Sequence, residues 1–323
     1  MKGLRVLLGL TLLTSLSCKS ISDKDKIVIA QFGDFYLYAP LYIAIDKGYF
    51  EKNNIDVSIV NTGGDELTWS AVLSGQAQFG IADPTFIAIA KERGQEGLVV
   101  ANIVNGVPFW GVSYSDEIPE IHDPADLKDY TIATFPSPST AYTLQKDMFL
   151  ESGLEPKIRE GTPGTLLAML NANQVDIALE LEPNVSQATA NGAHVIYSMK
   201  ELYGEFAITG LTTLPKTASD NPDLVKRITC SLQQSMDFIY SNPDSTVLIL
   251  NKRFTELDTT VSKLALARIL EEEIIPKTGV ISDSAWVSAI DLRQDVGDLP
   301  RGKNYLELID NSFSEVAISE CKE

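Results

Sequence analysis

Three features of this 323-residue chain predict an α/β protein of two lobes joined by a two-strand hinge. Short runs rich in β-branched residues alternate with helical stretches of about ten residues, the pattern of parallel sheets covered by helices. Two strand-like crossovers, near Tyr114 and near Leu211, take the chain out of the first α/β unit and back into it. From Pro222 onward the chain is mostly helical, with apolar residues three and four apart.

The elements follow in order. Lys26 to Gln31 (KIVIAQ) reads as a buried strand, and Asp34 to Tyr38 as a loop. Pro40 suits the first turn of a helix that runs to Lys47, because its missing N–H has no partner there anyway; Gly48 supplies a left-handed stop. Ile55 to Val60 alternates as a half-buried strand does, and Thr62 to Asp65 turns into a helix ending near Gly75. Phe79 to Ala82 is the next strand, and Asp83-Pro84 pairs an N-cap carboxylate with proline at the helix start. Gly111 to Tyr114 reads as the strand leaving the first lobe. Asp123-Pro124 opens a short helix, Thr131 to Thr134 is a strand, and Pro136 to Ser139 is a loop before a helix closed by Gly153. Thr162-Pro163 opens another helix, Val175 to Leu179 is a strand, and Pro183 starts a helix that Gly192 ends. Phe206 to Thr213 is the returning strand. Helices are expected over 222–240, 243–254, 258–275 and 284–296.

The order of "YAPLYIAIDKGYFEKNNIDVSIV", the Gly63-Gly64 turn and "SGQAQFGIADP" resembles the solute-binding proteins of ABC importers that serve nitrate, sulfonates, taurine and thiamine precursors. "PADLKDYTIAT", "VDIALELEPNV", "NPDLVKRI" and "LIDNSFSEVA" extend the resemblance over nearly all of the chain after its first residues. It implies a periplasmic-binding-protein-like type II fold, with 27–113 plus 209–323 in lobe one and 114–208 in lobe two. It also implies hinge closure on a small molecule, and a permease with its ATPase as partners.

Composition narrows the function classes. A net charge of −18 disfavours nucleic acid, whose phosphates need clustered Lys and Arg. The basic start Met1 to Arg5 and the apolar run Val6 to Leu13, too short to span a bilayer, read as a signal peptide over 1–17. Ser17-Cys18 followed by a polar linker to Lys26 resembles a lipoprotein cleavage site with Cys18 lipidated, although Ser15 stands where that motif has an aliphatic residue. An extracytoplasmic, lipid-anchored monomer is the expectation. Cys230, in a helical pattern, and Cys321, near the end, are expected as free thiols.

In open α/β sheets, ligands sit beyond the carboxyl ends of strands. The residues placed there are Phe35, Tyr36 and Tyr38, then Asp65, then Asp83, then Ser137, Ser139 and Thr140, then Glu182, with Trp110 at the crossover strand. Each also has a plainer role. Asp83 and Asp65 can cap helices, Trp110 can fill the lobe-one core, Ser139 can cap its own helix, and Glu182 can start one. The set is aromatic and acidic, with no Arg or Lys in these loops. Rings stack on flat ligands and carboxylates accept from amino groups, which favours an aminopyrimidine or similar nitrogen heterocycle. The helix-start N–H groups near Ser139 and Thr140 keep a sulfonate open.

His122 and His194 lie in separate loops without metal or nucleophile spacing, and no phosphate-binding glycine motif is present. No catalysis, metal or cofactor is expected. Two rivals remain: a pyrimidine-synthesis or menaquinone-pathway enzyme on the same fold, and a ligand-binding sensor subunit.

Overall fold

The computed structural model describes residues 24–321; the expected signal peptide and Cys18 lie outside them. Ten strands are present among the described residues: β1 (Asp25–Gln31), β2 (Ile55–Asn61), β3 (Phe79–Ala82), β4 (Leu98–Asn105), β5 (Trp110–Ser113), β6 (Ile132–Thr134), β7 (Ile158–Glu160), β8 (Ile177–Glu180), β9 (His194–Ser198) and β10 (Ala207–Thr213). They form two five-stranded sheets, ordered β2-β1-β3-β10-β4 and β7-β6-β8-β5-β9. β1 starts inside the expected linker, with Asp25 already paired to Ile55.

The sheets are mixed rather than purely parallel. β10 runs antiparallel to β3 and β4, and β5 runs antiparallel to β8 and β9. The reason is geometric. β5 and β10 are the strands that arrive from the other lobe, so they enter at the carboxyl ends of their new neighbours and must run against them. The first crossover therefore lies at 106–109, between β4 and β5, and not near Tyr114; Gly111 to Ser113 already belong to the second sheet. Gly106 makes that turn with φ +68°, and the Lys200 side chain lies where a Cβ would be. The return strand β10 begins at Ala207, two residues before the expected boundary.

Three strands escaped the sequence reading. β4 had a clear signal, an apolar run between Gly97 and Gly106; β7 is only three residues long, and β9 begins with an exposed His194. Most helix starts agree with their caps. Asp123 accepts the N–H of Ala125, Asp258 that of Thr260, and Ser139 that of Tyr142. The helix placed at Thr162-Pro163 begins only at Leu166, and the one placed to Ile275 stops at Glu271, where Glu273 turns left-handed (φ 50°) and Ile274 and Ile275 turn inward to full burial.

The C-terminal helices tie the lobes together. Asp283–Asp295 packs on β10 and on the helix Thr85–Glu92 of lobe one, and also on Thr140–Glu151 of lobe two. Trp286, Ala289 and Ile290 on this helix are fully buried, each large apolar side chain contributing about 1.5–3 kcal/mol. Thr259–Glu271 packs on Asn184–Ala190 of lobe two. Cys230 and Cys321, expected as free thiols, are instead joined in a disulfide with Cα atoms 5.4 Å apart. The helices Pro222–Ser241 and Ser312–Glu320 lie side by side and bring together two cysteines 91 residues apart, a separation that leaves no local trace in the sequence. No described helix is long and apolar enough to cross a membrane.

Candidate functional site

Between the carboxyl ends of the two sheets lies a cavity walled by aromatic rings from both lobes. Phe32, Phe35 and Tyr38 follow β1, Phe109 precedes β5, and Phe135 follows β6. Phe35 meets Phe32 and Tyr38 edge-on at 5.2 and 5.6 Å, and Phe109 meets Phe135 edge-on at 6.0 Å, an arrangement that fixes ring planes. The polar part of the wall is Asp65, Asp83, Ser139, Thr140 and Thr209. The cavity volume is ≈ 50 Å³.

Asp83 is the centre of the polar wall. Its Oδ1 accepts the Thr85 N–H (2.8 Å) and hydroxyl (2.6 Å), which caps the following helix. Its Oδ2 accepts the Thr140 hydroxyl of lobe two at 2.5 Å and Arg293 Nη2 at 2.8 Å. Arg293 is 1 % exposed, and its other N–H groups reach Thr85, Thr140, Thr143 and Asp298. The guanidinium also lies 4.9 Å from the Phe86 ring centre. Capping and a cross-lobe bond thus coexist at Asp83.

Asp65 does not cap its helix with its side chain; it sits at the first helical position, and its Oδ1 accepts the backbone N–H of Asp83 at 3.0 Å. Burial, and then the Asp83 carboxylate beside it, push its carboxyl up to about 7.

The other expected residues divide. Tyr36 is fully buried, its hydroxyl donating to the Ser262 carbonyl and its ring against Phe254, and it lines the adjoining cavity and not the aromatic one. Trp110 lies in the second sheet, not the lobe-one core, and donates its indole N–H to Glu272 at 3.1 Å. It faces away from the cavity that its neighbour Phe109 lines, as alternation along a strand requires. Ser137 is exposed, its N–H on Glu160, and takes no part in the aromatic cavity. Ser139 caps its helix and Thr140 serves Asp83, and both line the cavity. Glu182, fully buried, accepts from Ser186 N–H, Ser186 Oγ and Arg268 Nε (2.6 Å). It belongs to an adjoining cavity of ≈ 320 Å³ by the same measure, which shares Phe35, Phe135 and Leu181 with the first.

The sequence reading found no cation near these loops because it searched only the loops. Arg253, Arg268 and Arg293, all from the C-terminal helices, pair with Asp34, Glu182 and Asp83. An arginine near a helix carboxyl end reads as a surface residue favoured by the helix dipole, so nothing local marked Arg293. Phe32 and Phe135 did carry a signal, since each directly follows a strand. His122 and His194 are exposed on lobe two beside Glu120 and Asp116, away from both cavities.

Two α/β lobes joined by two crossovers, with a cavity between the strand ends, define the periplasmic binding protein fold. The family model described as NMT1/THI5 like matches residues 37–246, and the chain belongs to that family. It is 22% identical over 317 residues, 94% of this chain and 93% of the relative, to "Putative binding protein YtlA" of Bacillus subtilis. Among solved structures, the periplasmic aliphatic sulphonate binding protein SsuA of Escherichia coli superposes with a TM-score of 0.71 at 18% identity, covering 90% of this chain and 92% of that one. The periplasmic nitrate-binding protein NrtA of Synechocystis PCC 6803 does so at 0.70 and 15%, covering 92% and 89%.

Two predictions follow from the polar wall. Removing one partner of a buried ion pair strands the other, so Arg293→Met lowers stability by about 3–5 kcal/mol in urea unfolding, and adding Asp83→Asn recovers part of that loss. Folding keeps a proton on Asp65 up to about pH 7, whereas an unperturbed Asp releases it near 3.8. Asp65 therefore contributes stability that is present at pH 4 and lost as the pH rises to about 7. The parent minus Asp65→Asn stability difference, measured across pH 4–8, should fall over that window; a flat difference would sink the assignment.

Proposed function

We propose that this chain is the extracytoplasmic solute-binding component of an ABC importer, and that it captures a small nitrogen heterocycle with an exocyclic amino group, of the aminopyrimidine type, for delivery to a permease. The observation that carries the ligand class is Asp65, a half-buried carboxylate on the wall of an aromatic cavity whose nearby guanidinium is already engaged by Asp83. An amino group donating to Asp65 satisfies it, and the rings of Phe35, Phe109 and Phe135 stack on a flat ligand. The family membership and the binding-protein relatives support a receptor rather than an enzyme. A second reading, a sulfonate or similar anion, is supported by Ser139, Thr140 and Ala141 at a helix start on the cavity wall and by the sulphonate-binding structural neighbour. Two carboxylates against one guanidinium at that wall weigh against it. Export and anchoring through Cys18 complete the proposal.

The ligand class is tested by thermal unfolding of the chain from residue 19 against aminopyrimidines, thiamine, taurine, alkylsulfonates and nitrate, since a ligand that binds only the folded state raises the midpoint. An aminopyrimidine is expected to raise it and a sulfonate not; the reverse result replaces the first reading with the second. Phe35→Ala and Asp65→Asn should each weaken heterocycle binding about tenfold, a loss of about 1.4 kcal/mol, while Ser137→Ala leaves it unchanged. For the anchor, the full-length protein in a bacterial host should fractionate with membranes and Cys18→Ser should move it to the soluble fraction; an unchanged distribution would remove the lipid.

A further inference from the structure

The cavity beside the aromatic one contains a carboxylate that the fold answers only in part. Glu180, at the end of β8, is fully buried and lines this second cavity. Its Oε2 accepts from Asn184 Nδ2 at 3.0 Å and the backbone N–H groups of Leu181 and Leu167 also act on the carboxylate, while its Oε1 makes no hydrogen bond of its own. A buried acceptor without a partner is costly, and native structures rarely keep one without a use. The surroundings specify the use. Four carboxylates line the cavity, Asp34, Glu180, Glu182 and Glu256, and two guanidiniums, Arg253 and Arg268, answer Asp34 and Glu182. Among the described residues, buried Glu180 and exposed Glu256 have no cation paired with them.

We infer that this cavity is a subsite for an ammonium-bearing arm of the ligand, with Glu180 as the group that selects it. The inference rests on the proposed function, because the two cavities share Phe35, Phe135 and Leu181 and one molecule can occupy both: a flat ring between the aromatics, with its polar edge on Asp65, and an amine reaching Glu180. An anion is disfavoured here by the excess of carboxylates. A bare metal ion is disfavoured by the engagement of Asp34 and Glu182, which leaves only Glu180 and the exposed Glu256 where such an ion takes roughly 6–8 oxygen ligands. Burial pushes Glu180 up to about 7, against the pull of the Asn184 amide and the backbone N–H groups of Leu181 and Leu167, so an incoming cation also favours its ionised form. Glu180 binds and discriminates; it takes part in no reaction.

The test uses two matched pairs of probes with the chain from residue 19, read by calorimetric titration at pH 7.5. One pair is a 4-aminopyrimidine with an aminomethyl arm and its methyl-armed counterpart; the other is benzylamine and benzyl alcohol. The amine member of each pair should bind at least tenfold more tightly. Glu180→Gln, with folding checked by its unfolding midpoint, should erase that preference and leave the methyl-armed compound unaffected. A preference confined to the benzyl pair would uphold the amine subsite and defeat the aminopyrimidine reading. Aminopyrimidines that bind with no preference for the amine would uphold that reading and overturn the subsite. Equal weakening of both members by Glu180→Gln would overturn the subsite too, and failure of every probe to bind would overturn both.

Discussion

The Asp83–Arg293 pair is the constraint on which the arrangement of the lobes depends. Two charges taken out of water cost several kcal/mol each unless their remaining hydrogen-bonding positions are filled. Here they are filled by groups from every neighbouring part of the fold: Thr85 from lobe one, Thr140 and Thr143 from lobe two, and Asp298 after the bridging helix. Because the donors come from both lobes, the pair is fully satisfied only when the lobes meet. The closed arrangement and the solvation of this pair are one condition.

The same logic runs along the whole interface. Arg268 reaches across to Glu182, Trp110 of lobe two donates to Glu272, and Lys200 donates to the Glu272 carbonyl at 2.6 Å. The C-terminal helices are therefore more than a cover for lobe one. They carry the counter-charges for the acidic residues of the cleft, which changes the chemistry of the site: Asp83 and Glu182 are spent on structure, while Asp65 and Glu180 keep their carboxyls in places where ionisation is disfavoured. On the proposed receptor function, opening the lobes would expose the paired groups to water, and reclosing would restore the protein bonds around what had entered.

Much of this was legible in the linear chain. Caps such as Asp123, Asp258 and Ser139 work through backbone N–H groups two or three residues away, so their effect is local and survives in the sequence. The rule that ligands gather at strand ends brought Phe35, Tyr38, Asp65, Asp83, Ser139 and Thr140 to one cavity. The same rule misplaced Trp110 and put Tyr36 on the adjoining cavity instead of the aromatic one, because which of two adjacent residues faces the cleft depends on strand register and on what packs behind. It also overlooked Phe32 and Phe135, which obeyed it.

By itself the sequence determined the two-lobed α/β class, the helix starts and the aromatic character of the cleft, since each is set by periodicity or by contacts within a few residues. Only the tertiary structure decided the antiparallel direction of the crossover strands, the Cys230–Cys321 pairing and the engagement of Asp83 by Arg293. Those features join residues from 66 to more than 200 positions apart. Burial and hydrogen bonding across such distances depend on where the lobes and the C-terminal helices come to rest, and no local pattern of residues encodes that placement.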